Sequence, residues 1–183
     1  MKRTALFAAV VVGTAAITAA TAQTPSPYTG QQQRAIKALS DQEIQDLLEG
    51  RGMGLAKAAE LNSYPGPLHV LQLADRLGLS DAQRAATDAL YAAMHQKALP
   101  IGRQIVEAER TLDRAFADRS IEPAMLRSQI AAIAILQGNL RVVHLETHLA
   151  QRSVLTPEQI SRYDALRGYH DDRAPQDHHR HGG

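Results

Sequence analysis

From Thr87 onward, apolar and small residues recur at alternating steps of three and four: Thr87, Tyr91, Met94, Ala98, Ile101, Ile105, Ala108, Leu112 and Ala115. That spacing is a heptad seam along one helical face, widened by Leu90, Val106 and Phe116. A polar break follows at Asp118-Arg119-Ser120, with Pro123 just beyond it. A second seam then runs through Leu126, Ile130, Ile133, Leu136, Leu140 and Val143. Two long seams joined by a short loop predict an antiparallel helical hairpin. Pro100 and Gly102 interrupt the first seam. Proline removes one backbone donor and its ring strikes the carbonyl four residues earlier, so a kink near 96–100, or a full break there, is expected.

Two copies of one short motif bracket this hairpin: Leu79-Ser80-Asp81-Ala82-Gln83 and Leu155-Thr156-Pro157-Glu158-Gln159. In each, a hydroxyl oxygen can accept from the backbone N–H three positions on, and the glutamine there can reach back to the cap. Ser80 with Gln83, and Thr156 with Gln159, therefore predict helix starts at 81 and 157. Pro157 strengthens the second, because its missing N–H would have had no helical partner.

Shorter elements flank the hairpin. Ser40 and Glu43 form another capping box ahead of Ile44, Leu47 and Leu48, so a helix is expected over 41–49, stopped by Gly50. Met53 to Leu61 reads as one or two alanine-rich turns ending at the Tyr64-Pro65-Gly66-Pro67 corner. Pro67 then opens a helix through Leu77, stopped by Gly78, and a closing helix is expected over 157–167. The fold class is all-α: a long antiparallel helical hairpin with short flanking helices. Residues 23–33, with two prolines and a Gln-Gln-Gln run, read as a disordered linker, 34–66 as short N-terminal helices, and 67–168 as the hairpin domain. Residues 169–183 form a tail of His, Asp, Arg and Gly with no apolar period, expected to be disordered.

The chain opens with Lys2 and Arg3, a mostly apolar run from Ala5 to Ala20, and Ala20-Thr21-Ala22 before Gln23. This reads as a secretory signal cleaved after Ala22, with an uncleaved anchor as the alternative. The apolar run, about 16 residues, is short of the ~20 that span a bilayer. Loss of Lys2 and Arg3 leaves 18 basic against 19 acidic residues, so no basic excess points to nucleic acid. There is no cysteine, and only two Phe and no Trp, so an exported protein of this composition has to rely on thin Ala-, Leu- and Ile-rich helix packing.

Chemistry concentrates in the histidines. His144 and His148 stand four apart late in the second long helix, on one face, with Cβ atoms about 6 Å apart. Two imidazoles so placed can share one metal ion, whereas Glu146 lies on the opposite side and the order is not that of a zinc protease. With the bend near 120, antiparallel pairing sets 144 opposite about 96 and 148 opposite about 92. That brings His95 or Met94 close, with His69 as a competing donor and Asp88 as a neighbouring carboxylate. Such a set suits nickel, cobalt, copper or zinc, and binding weakens once imidazole is protonated. The bland alternative is a polar helix flank with His144 as a satisfied core residue. In the tail, His170, His178, His179 and His181 stand among Asp171, Asp172 and Asp177, a composition that holds transition metals loosely or is simply solvated. Nucleophile elbow, cysteine and phosphate-cradling loop are all missing from the sequence, so an enzyme is not expected.

The paired Leu79-Ser80-x-x-Gln83 and Leu155-Thr156-x-x-Gln159 motifs around a helical hairpin, behind a signal peptide, resemble the Spy/CpxP family of periplasmic stress proteins, the LTxxQ group. The resemblance covers about 67–168 and implies a hooked, dimeric helical protein. In that family some members are ATP-independent holdase chaperones of unfolded exported proteins, and others bind or sense heavy metals, with a membrane signalling protein as partner. The chain is also similar to CnrX-type nickel and cobalt sensors, through His69 and His144, with His148 where those carry methionine. It departs from them at Leu73, in place of a second early histidine, and near Tyr91, in place of a glutamate. The resemblance implies a periplasmic heavy-metal resistance protein, with a holdase as the alternative.

Overall fold

The computed structural model describes residues 26–169, which are helical with one isolated bridge between Ile36 and Leu39 and no extended strand among the described residues. The predicted signal segment and the tail histidines His170, His178, His179 and His181 lie outside the described residues. Residues 26–33, expected as a disordered linker, instead carry a turn and a short 3-10 helix, Gln31–Gln33. Among the described residues seven α-helices follow: α1 (Asp41–Leu48), α2 (Lys57–Glu60), α3 (Pro67–Gln72), α4 (Ala74–Leu77), α5 (Asp81–Ala117), α6 (Pro123–Val154) and α7 (Pro157–Arg167).

The helix starts follow from local hydrogen bonding. Ser40, Ser80 and Thr156 each accept from the backbone N–H of Glu43, Gln83 and Gln159, and each of those side chains accepts from the cap N–H in return. The two glutamines do more than cap. Gln83 Nε2 donates to Gln159 Oε1 at 2.8 Å and to the Val154 carbonyl at 2.9 Å, while Gln159 Nε2 donates back to Gln83 Oε1 at 3.0 Å. The paired motif thus ties the start of α5 to the start of α7, across the open end of the hairpin.

Helices α5 and α6 form the antiparallel hairpin, and α5 is 37 residues long, about 55 Å. It runs through Pro100 as one continuous helix, so the full break weighed as the alternative to a kink does not occur. The lost hydrogen bond is outweighed by packing on both sides of it, where Ala98, Gly102, Ile105 and Val106 are all buried. Gly102 has its own reason: a Cβ there would stand 2.0 Å from the Leu47 carbonyl oxygen. Only glycine lets the end of α1 settle onto α5, and Ile36, Leu47, Ile105, Val106 and Leu140 close a core around that contact.

A second core joins Val70, Leu77, Leu155 and Tyr163 at the other end, where α3, α4 and α7 meet. The single helix expected from Pro67 to Leu77 is divided at Leu73 into α3 and α4. Two seam assignments also fail: Phe116 is 53% exposed and Ile130 49% exposed. Between the cores, residues 49–66 cross the hairpin as a strap. Its backbone turns through positive φ at Gly50, Met53, Gly54 and Ser63.

Candidate metal site

The strap, α3 and the hairpin enclose a pocket of about 330 Å³, lined among others by Glu60, His69, Tyr91, Met94, His144 and His148. His144 and His148 reach it from α6, Tyr91 and Met94 from α5. Both histidines are therefore enclosed. His144 is 3% exposed, and its Nε2 is buried with no hydrogen-bond partner. Desolvation first, and the neighbouring His148 second, push the His144 pKa below its ordinary value and keep the ring neutral.

His148 is oriented by the strap. Its Nδ1–H donates to the Tyr64 carbonyl at 2.7 Å, which fixes the tautomer and leaves the Nε2 lone pair free. Gly66 lies against this ring: a Cβ there would be 2.9 Å from Nε2. Any larger residue at 66 would press on the imidazole edge that faces the corner.

Glu60 is a member of the site that the sequence reading missed. Its Oε2 is buried without a hydrogen-bond partner and stands 3.7 Å from His148 Nδ1. Its Oε1 accepts from the hydroxyls of Tyr163 and Tyr169, the latter at 3.2 Å, with the Arg167 guanidinium 3.6 Å away. Burial and the Glu60 carboxylate both hold the Tyr163 hydroxyl far above its usual pKa. The carboxylate thus joins the pocket to α7. Nothing local in Lys57-Ala58-Ala59-Glu60 signals this, since the two tyrosines that donate to it lie more than 100 residues away.

The expected donors separate. His69 lines the pocket while its Nδ1–H donates to Gln72 Oε1 at 3.0 Å. His95 stands apart: its Nε2–H donates to the Glu49 carbonyl at 3.0 Å, satisfying an orphan group at the end of α1. Met94, one residue earlier, takes the inward position. Asp88 is exposed and does not line the pocket. Among the described residues, no group of three or more His, Cys, Asp or Glu gathers closely enough to hold a metal ion. Three of the four expected histidines, His69, His144 and His148, thus line one pocket together with Met94, and His95 does not.

A family model described as LTXXQ motif family protein matches residues 68–167, the span from α3 to the end of α7. The chain belongs to the LTXXQ motif family. This is the Spy/CpxP-type family, and membership points to a periplasmic stress or metal-resistance protein. It does not extend to the narrower likeness to CnrX-type sensors. No curated protein and no solved structure matches this LTXXQ chain. Among the described residues, no helix is long and apolar enough to cross a membrane.

Proposed function

We propose that this LTXXQ protein is an exported, periplasmic stress or resistance protein that captures a transition metal ion between its hairpin and its strap, by binding and without catalysis. The observation that carries the reading is the His144 ring, buried with an unpartnered ring nitrogen in the wall of a pocket that also holds His148. A buried polar atom without a partner costs about 1–3 kcal/mol, and a metal ion would use its lone pair. His148 supports the same reading, since metal-ligating histidines are commonly oriented by an N–H bond to a backbone carbonyl on the ring's other side. Met94 and His69 supply further donors of types that nickel, cobalt, copper and zinc accept. The tail histidines would gather ions loosely and pass them to the pocket.

The test is a calorimetric titration with each of the four ions, on the full chain carrying His170, His178, His179 and His181 as Asn. One ion should bind, and His144→Ala with His148→Ala should weaken it by about 100-fold. If the tail replacement abolishes binding while the helical double substitution leaves the full chain unchanged, the pocket is not the site. A second reading, an ATP-independent holdase for unfolded exported proteins, is favoured by the exposed apolar row on α6 that includes Ile135, Val142 and Leu149.

A further inference from the structure

We infer that the ion suited to this pocket is cuprous copper, held by His144, His148 and Met94. This rests on the metal-capture reading and narrows it to one class of ion. Zinc is almost always held by four donors, and nickel and cobalt sites likewise draw on nitrogen and oxygen ligands in number. His69 and Glu60 line the same pocket, but among the described residues no three His, Cys, Asp or Glu gather closely enough to hold one ion. His95 is turned to the Glu49 carbonyl, His69 Nδ1 is bound to Gln72, and the unpartnered Oε2 of Glu60 lies 3.7 Å from His148 Nδ1, the nitrogen already given to the Tyr64 carbonyl. The soft donor that lines the same pocket as the pair is the thioether of Met94, 8% exposed.

Two physical preferences then agree. A thioether is a soft, neutral donor that selects Cu(I) over hard and borderline dications, and Cu(I) accepts two or three ligands where the others require more. The donor set also carries no charge, and the cost of bringing an ion out of water rises with the square of its charge. A single positive charge is therefore tolerated on this neutral donor set far better than a double one. No electron transfer is involved, since the ion is bound as Cu(I) and released as Cu(I).

The experiment uses the full chain with the four tail histidines replaced by Asn, kept anaerobic, with Cu(I) supplied as its acetonitrile complex in competition with bicinchoninate. Zn(II) and Ni(II) are titrated separately. Cu(I) should bind about 100-fold more tightly than either dication, and Met94→Leu should weaken Cu(I) about tenfold while leaving Zn(II) and Ni(II) unchanged. X-ray absorption of the unsubstituted pocket should show one sulfur neighbour on copper, which needs no variant to fold. A copper site without sulfur, an unaffected Met94→Leu, or tighter binding of Ni(II) or Zn(II) overturns the assignment to Cu(I). If His144→Ala with His148→Ala changes the binding of none of the ions, the capture reading itself fails and this one with it.

Discussion

At the scale of single residues, the pocket is governed by which polar atoms are left unpaired. His144 is neutral because its ring is removed from water and has a second imidazole, His148, close to it. Its folded pKa lies below the ordinary 6.5, so the unfolded chain binds a proton more readily than the folded one. The stability that follows is fully present above pH ~6.5 and is lost as pH falls from there through the lower folded value. Thermal unfolding followed by circular dichroism should therefore show a larger drop in Tm between pH 7.5 and 5.5 for the native chain than for His144→Gln. Equal drops would mean that this ring does not titrate across the folding transition. Carboxylates contribute to both curves alike and cancel in the comparison.

At the scale of elements, Gln83 and Gln159 carry the argument, because each belongs to a helix cap and to the other. Removing either side chain takes the amide-to-amide bonds from the other, which keeps its backbone partners: the Val154 carbonyl for Gln83, and the longer contacts to the Leu77 and Gly78 carbonyls for Gln159. A double-mutant cycle of Gln83→Ala and Gln159→Ala, read by urea unfolding, should give a coupling of about 1 kcal/mol. Strict additivity would show that the two motifs act only as independent caps. The caps themselves were legible in the sequence, since a hydroxyl and a glutamine three residues apart satisfy N–H groups they stand next to; helices do begin at Asp81 and Pro157. The all-α hairpin was legible for the same kind of reason, as a period of 3.5 repeated over many turns. What could not be read was anything set by distant contacts. Pro100 allows a full break that packing at Ala98 and Gly102 prevents, and Glu60 looks like a surface residue until Tyr163 is placed beside it. His95 and Met94 are neighbours in sequence, and only the position of Glu49 decides which of them faces inward.

At the scale of the whole molecule, the outer face of α6 remains to be explained. Ile135, Val142 and Leu149 are 63%, 49% and 57% exposed and stand seven residues apart, so they form one line along the helix. Gly138 lies between the first two, and a Cβ added there would meet nothing within 4 Å, which leaves room for a second backbone to approach. The row is symmetric about Val142: an antiparallel second copy related by a two-fold axis there sets Ile135 of each chain against Leu149 of the other. A self-complementary row of this kind is what an isologous dimer requires. The native chain is therefore expected to sediment as a dimer, and Val142→Glu, which places two like charges face to face on the axis, should sediment as a monomer with unchanged helicity. The pocket faces the strap on the other side of α6, so metal affinity should survive the substitution. If the native chain is a monomer, or Val142→Glu stays dimeric, a second copy does not cover this row. Suppression of client aggregation that disappears with Val142→Glu would then assign the face to unfolded clients.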